Sequence, residues 1–281
     1  MKKIVIIGTG RTASKLYREV FNRVPNVYIL HEVMFDFRMK IDIDSLLRKH
    51  KAYSNTNNIH KAFDDIFSFS FFRNFKSEYK NPETLINNLT ASDNITWGNA
   101  LNTIIETRPY EQGYKIAGAK NPVHFSYAPK MIKELEDIKV IFLARDPRAL
   151  YASELPMKTK SSQLSQFPRI KNRWLQRILI FSYTNLEWIW SMLIYNRLKN
   201  KLILCKYEDL VTNSEFLFKR VFDFCEIPYK QEYIENIGVI GSSHIRNNNK
   251  GFSDHALDRW KNYLNRFEKI WFKILISIFK Y

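Results

Sequence analysis

Four short apolar runs, Ile4–Ile7, Val27–Leu30, Val140–Ala144 and Leu202–Cys205, constrain this chain more than any other feature. Each is rich in Ile, Val, Leu or aromatics and leads into a stretch with helical periodicity. Apolar runs without polar alternation suit strands buried on both faces, as in a parallel sheet covered by helices. Tyr114–Ala119 is a fifth, less apolar run. The helical stretches are Ala13–Arg23, Tyr127–Leu135, Pro147–Glu154, Trp174–Leu198 and Asn213–Cys225. The alternation predicts an α/β fold with a central parallel sheet flanked by helices in three layers. Ligands of such folds bind at the carboxyl ends of the strands.

Two regions interrupt the pattern. From about residue 36 to 105 the chain is polar and rich in Asn and aromatics, which predicts a helical insertion over the sheet. Residues 155–186 carry Lys158, Lys160, Arg169, Lys171, Arg173 and Arg177 and no acidic side chain. Insertions over the carboxyl edge shape an acceptor site. No internal repeat or Pro/Gly linker divides the chain, so residues 1–281 read as one domain, long enough to bury a core without a staple. Cys205 and Cys225 are too few for a disulfide framework, and no cluster has metal-ligand spacing, so no metal is expected. Lys and Arg number 44 against 28 Asp and Glu, a formal charge of +16. That excess favours an anionic ligand: nucleic acid, anionic lipid, polysaccharide or nucleotide phosphates.

The opening Met-Lys-Lys and four apolar residues fall short of a signal peptide. Trp174–Leu198 is interrupted by Arg177, Asn185, Glu187 and Arg197, so it reads as a buried helix and not a membrane span. The expected location is cytoplasmic, with the inner membrane surface as the variant that the tail allows. That tail, Phe267–Tyr281, mixes Trp271, Phe272, Ile274, Leu275, Ile276, Ile278 and Phe279 with Lys269, Lys273 and Lys280. It reads either as a core-packing terminal helix or as a membrane-surface helix near a lipid-linked acceptor.

Gly8-Thr9-Gly10-Arg11-Thr12-Ala13-Ser14-Lys15 joins the first strand to the first helix. Glycines there let the backbone turn so that N–H groups at the helix start point at one oxyanion. Three phosphate loops compete for the segment. A Walker A loop ends in Gly-Lys-Ser/Thr, whereas the order here is Ala13-Ser14-Lys15. The dinucleotide fingerprint fits as Gly8-x-Gly10-x-x-Ala13, with Glu32 where a ribose-binding acid would stand. The third is the phosphosulfate loop of sulfotransferases, basic–Ser/Thr–Gly–Ser/Thr–Ser/Thr.

The fourth strand separates them. It runs into Arg145-Asp146-Pro147-Arg148-Ala149-Leu150-Tyr151-Ala152-Ser153, with Asp146 suited to cap a helix and Pro147 to begin it. A phosphate between Arg145 and Ser153 would receive a guanidinium fork and a hydroxyl. A dinucleotide oxidoreductase has no use for this second grip. At this point the chain resembles the sulfotransferases that use 3′-phosphoadenosine 5′-phosphosulfate (PAPS), whose fold is a P-loop NTPase-like three-layer sandwich. Arg-Asp-Pro-Arg…Ser is that family's 3′-phosphate motif. Tyr207-Glu208-Asp209-Leu210, Phe224-Cys225-Glu226-Ile227-Pro228 and Gly118-Ala119-Lys120 resemble further family elements. Lys250-Gly251 with Trp260-Lys261 looks like a shortened C-terminal nucleotide loop. Two positions depart: Ala13 stands where the family prefers Gly, and Lys15 where it prefers a hydroxyl. Ala13 disfavours a left-handed backbone, while Lys15 adds a charge able to hold a sulfate.

The resemblance implies roles. Gly10, Arg11, Thr12, Ala13, Ser14 and Lys15 would cradle the phosphosulfate, with Arg11 and Lys120 near the transferring group. Arg145 and Ser153 would hold the 3′-phosphate, Tyr207, Lys250 and Gly251 the nucleotide, and Ser242 or Ser243 the adenine. The family's base is Glu or His, and Glu32, directly after the second strand, is preferred over His31, with His124 and His244 outside candidates. PAPS is the implied donor, 3′,5′-adenosine bisphosphate the product, and the acceptor a hydroxyl or amine, with a carbohydrate or glycolipid favoured. Two other readings remain: an NAD(P)-binding oxidoreductase, and a basic nucleic-acid-binding protein, for which no recognised motif is present.

Overall fold

The computed structural model describes residues 1–35, 41–92, 95–160, 172–235, 237 and 255–281. Its centre is a five-stranded sheet of β1 (Lys2–Gly8), β2 (Val27–Leu30), β3 (Ile116–Lys120), β4 (Ile138–Ala144) and β5 (Leu202–Lys206). All pairings are parallel, in the order β2-β3-β1-β4-β5. The five apolar runs are these strands, extended by one or two residues at some ends, except that β3 begins at Ile116 and not at Tyr114 and ends at Lys120. Alternation along each strand feeds two cores. Val5, Ile7, Val140 and Phe142 face one side, and Ile4, Ile6, Ile141 and Leu143 the other.

On the second side lie α1 (Ser14–Phe21) and, later in the chain, a helix spanning Ser214–Phe224; Phe21 and Phe222 stack between them at 5.2 Å. The first side is thicker. Between β2 and β3 it receives α2 (Ile43–Lys49), α3 (Ile59–Ser68), α4 (Arg73–Glu78), α5 (Glu83–Thr90) and α6 (Trp97–Glu111). This is the expected insertion, though α6 runs past residue 105 because Thr107 and Pro109 are still buried; residues 36–40 lie outside the described residues. Its aromatics Phe63, Phe72, Phe75 and Tyr79 are buried in the shared core. They pack against protein.

The remaining elements are α7 (Ala128–Glu134), α8 (Pro147–Lys160), α9 (Arg173–Leu198), α10 (Tyr207–Thr212), α11 (Ser214–Phe224), α12 (His255–Asp258) and α13 (Arg266–Phe279). Helix α13 begins in a capping box between Asn265 and Glu268. It presses Phe272 and Leu275 into the first core. No described helix is long and apolar enough to cross a membrane.

Candidate active site

The sheet order brings the carboxyl ends of β3, β1 and β4 side by side, and two clusters of charged side chains lie there, one on each flank of the loop after β1. Gly8 opens that loop at φ +146°, and a Cβ there would stand 2.0 Å from the Leu143 carbonyl oxygen, so only glycine fits. Gly10 is different: a Cβ would meet nothing nearer than Glu154 Oε1 at 3.9 Å. Its missing side chain leaves open space above the loop. Arg11 and Ala13 both adopt left-handed backbone, φ 62° and 63°. Ala13 therefore takes the conformation that disfavours it, which explains why glycine suits the position. Thr12 Oγ1 donates to the Thr9 carbonyl at 2.9 Å and tightens the turn. Ala13 begins α1 with no side-chain cap, and no acidic residue stands in the first turn. The helix thus presents its first amides and positive dipole end uncapped.

On the β4 flank, Asp146 caps α8 by accepting from Arg148 N at 2.8 Å, with Pro147 as first helical residue. Arg145, 7% exposed, donates from Nη1 to the Arg11 carbonyl at 3.1 Å and lies 4.2 Å from the centre of the Tyr207 ring. Trp188 Nε1 holds the Arg145 carbonyl at 2.9 Å. Two turns into α8, Ser153 Oγ accepts from Arg11 Nε at 3.2 Å. Arg11, Arg145 and Ser153 are therefore one group, and the Arg11 guanidinium is turned toward Ser153. Burial lowers the pKa of both arginines, and Arg145 and Arg259 lower that of Arg11 further. Cations crowded under such burial make a cradle for an anion carrying more than one charge. Thr9 Oγ1 and Asn121 Nδ2 add buried polar atoms with no hydrogen-bond partner among the described residues.

On the β2–β3 flank, Lys120 is 1% exposed and its Nζ lies 2.5 Å from Glu32 Oε1. Burial pushes the Glu32 carboxyl up, but the Lys120 charge and hydrogen bond, with His31 and Lys15, outweigh it and hold the pKa below the ordinary range. Burial lowers Lys120 against the pull of Glu32. His31 Nδ1 accepts from Glu32 N at 2.8 Å, and burial and Lys120 push its pKa down to about 4. His124, fully buried, is likewise pushed down to about 4. Both imidazoles are neutral at neutral pH.

Four further residues hold these groups in place: Glu208 and Tyr281, which the sequence names within the Tyr207–Leu210 element and the tail, and Glu78 and Arg259, which it does not single out. Glu78 on α4 accepts from His31 N at 2.9 Å, Arg18 Nη2 at 3.1 Å and Tyr28 OH at 2.8 Å, fixing the end of β2. Glu208 accepts from Asp146 N at 2.9 Å and from Tyr281 OH at 2.8 Å. Arg259 contributes charge to the Arg11 cluster, beside Trp260, whose ring lies 4.2 Å from the Arg148 guanidinium. Glu208 and Trp260 lay in motifs that the sequence singles out. From the basic stretch 155–186, Arg177 is committed to Glu268 at 2.6 Å. Ser242, Ser243, His244, Lys250 and Gly251 lie outside the described residues. Among the described residues no group of His, Cys, Asp or Glu could hold a metal ion.

The dinucleotide alternative fails on topology. Its fold sets the second strand beside the first, so that the acid after β2 reaches the ribose. Here β3 lies between β2 and β1, and Glu32 is engaged with Lys120.

The sequence model described as "Sulfotransferase family" matches residues 3–231. No curated protein matches the chain in sequence. Among solved structures, the sulfotransferase domain of the Synechococcus PCC 7002 olefin synthase is 16% identical with a TM-score of 0.56, over 98% of this chain and 94% of that one. The sulfotransferase domain from the curacin biosynthetic pathway is 15% identical with a TM-score of 0.57, over 98% and 97%. Mouse sulfotransferase SULT7A1, solved with PAP, is 10% identical with a TM-score of 0.52, over 98% and 83%. At these identities the likeness is one of fold.

Proposed function

The chain belongs to the sulfotransferase family, and on that premise we propose that it moves a sulfuryl group from PAPS to a hydroxyl or amine of a carbohydrate or glycolipid acceptor. The observation that carries the donor is the joining of half-buried Arg11 and Ser153 with buried Arg145 into one cationic group, separated by the β1 loop from the Lys15–Lys120–Glu32 cluster. PAPS has two anionic ends a nucleoside apart, and two separate cation clusters suit it. In this reading Arg145 and Ser153 hold the 3′-phosphate, with Arg11 shared between the two ends. The uncapped amides of α1 and the space above Gly10 receive the 5′-phosphosulfate.

The chemistry is an in-line displacement in which the acceptor oxygen bonds to sulfur, the bond from sulfur to the bridging oxygen breaks, and the electron pair leaves with the bisphosphate. Positioning and charge neutralisation supply most of the acceleration. Lys120 neutralises sulfuryl charge, and Glu32 takes the acceptor's proton. Because the two are paired, Glu32 gains basicity when Lys120 turns to the sulfuryl oxygens.

The test is an incubation with sulfur-labelled PAPS and a panel of glycans, glycolipids and small hydroxyl compounds, with calorimetry of 3′,5′-adenosine bisphosphate alongside. Label transfer to a glycan or glycolipid is expected. Failure to bind the bisphosphate would refute the donor assignment, and transfer confined to small non-glycan hydroxyls would refute the acceptor class.

A further inference from the structure

Helix α13 carries three stripes, each displaced by one residue from the next. Glu268, Phe272, Leu275 and Phe279 recur at the helical period and face the protein; Phe279 meets Trp188 edge-on. One position back, Phe267, Trp271, Ile274 and Ile278, joined by Ile270, form a second apolar stripe, and this one is bare. Phe267 is 66% exposed, Ile274 51% and Ile278 67%. One position forward stand Lys269, Lys273 and Lys280. A helix packed on a globular core needs one apolar stripe. Among the described residues the second touches the protein only at one edge, where Phe267 lies near Phe181 and the Trp271 indole donates to Asn185, and Ile270, Ile274 and Ile278 stay exposed.

Helix α9 lies alongside, tied by Arg177 to Glu268 at 2.6 Å and by Trp271 Nε1 to Asn185 Oδ1 at 2.8 Å. It adds Leu175, Ile178, Leu186 and Leu193, exposed and spaced on one helix face. The exposed apolar surface thus extends over two helices, larger than isolated surface residues account for. Charge identifies what covers it. From Leu264 to Tyr281 the chain holds Arg266, Lys269, Lys273 and Lys280 against Glu268 alone, which is buried and paired. Helix α9 holds Arg173 and Arg197 against Glu187, with Arg177 already paired to Glu268. A second copy of this chain would set like charges against one another, whereas anionic headgroups complement them.

We propose that α13 and the bare face of α9 dock on an anionic lipid surface. Phe267, Ile270, Trp271, Ile274 and Ile278 enter the acyl boundary, and Lys273 and Lys280 lay their stems along it with the ammonium groups at the phosphates. Glu268 accepts from Tyr151 OH at 3.0 Å, so α13 is fixed to α8, the helix that carries Ser153. Docking therefore holds the strand-end site at a set orientation to the bilayer. This surface stands apart from the sulfuryl-transfer reading and does not depend on it.

The test is flotation of the full chain with vesicles of phosphatidylcholine alone and of phosphatidylcholine mixed with phosphatidylglycerol. Flotation is expected with the mixed vesicles only, and release on adding salt. Ile274→Ser combined with Ile278→Ser removes side chains that are already exposed, so the thermal melt should be unchanged while partitioning falls at least about tenfold. Lys273→Gln should lower it roughly fivefold. Equal flotation with both vesicle types, no flotation with either, or wild-type partitioning by the double variant would overturn the proposal. So would a concentration-dependent dimer that the double variant abolishes, since that assigns the face to a second copy.

Discussion

Lys120 Nζ and Glu32 Oε1 meet at 2.5 Å across the ends of β3 and β2, the lysine fully buried and the carboxylate partly open. Leu30 is in register with Ala119, so Lys120 follows that pair by one residue and Glu32 by two, which brings both to the same edge of the sheet. The pair makes two roles interdependent. Glu32→Gln keeps an acceptor for Lys120 but takes no proton, and turnover should fall roughly 10²- to 10⁴-fold with bisphosphate affinity nearly unchanged. Lys120→Met removes the charge that holds the Glu32 carboxyl low. The acidic limb of the kcat/KM profile should then move to higher pH, whatever happens to the plateau. An unmoved limb would separate Glu32 from the proton transfer.

Arg145→Ala should abolish the preference for 3′,5′-adenosine bisphosphate over 5′-AMP. Losing a charge-assisted hydrogen bond costs about 1.5–3 kcal/mol, ten- to a hundredfold in affinity. Calorimetry of both nucleotides on both proteins measures it. Equal affinities in the wild-type protein would remove the 3′-phosphate from this flank.

The loop after β1 should respond oppositely at two positions. Ala13 sits at φ 63°, where a Cβ costs about 1–2 kcal/mol, while glycine brings about 0.5–1 kcal/mol of extra chain entropy. Ala13→Gly should therefore stabilise by about 0.5–1 kcal/mol in urea unfolding. Gly8→Ala drives a Cβ into the Leu143 carbonyl and should cost several kcal/mol or prevent folding. At Gly10 the space is open, so Gly10→Ala should leave stability nearly unchanged and weaken nucleotide binding.

Stability should fall with pH in a window set by the histidines. Burial holds His124 at about 4 in the folded chain against 6.5 when unfolded. The unfolded chain takes up a proton below 6.5 and the folded chain does not until about 4. Stability is therefore fully present above 6.5 and lost as pH falls toward 4, by ~3 kcal/mol from this group. His31 acts with the same sign, reduced by its contact with solvent. Urea titrations across this range should show the slope, and His124→Gln should lessen it.

The strands were legible because burial on both faces leaves a compositional mark, and Val27–Leu30 matches residue for residue. Arg145 and Ser153 were legible because the helix that separates them is short and regular. Glu208 stood out within Tyr207-Glu208-Asp209-Leu210 as a residue that orients a turn, but its reach to Asp146 and Tyr281 did not. Glu78 and Arg259 were not legible, since each acts across a long chain separation and nothing local distinguishes an anchoring carboxylate from a solvated one. The orientation of Arg11 was hidden for a related reason: a residue type fixes a charge, while the left-handed backbone at Arg11 decides where that charge points.

Glu78 bears on how freely this scaffold can be rebuilt. In the proposed reading, with Glu32 as base, the segment from α2 to α6 is where a chimera would graft a new acceptor preference, and its sequence invites exchange as a cassette. Yet the carboxylate at the end of α4 grips the His31 amide, Arg18 and Tyr28 together. A cassette lacking an equivalent acid would strand a buried arginine and release the strand end that presents Glu32. Swapped specificity would then arrive with a misplaced base, and the transplant would be judged inactive for a reason unrelated to its acceptor.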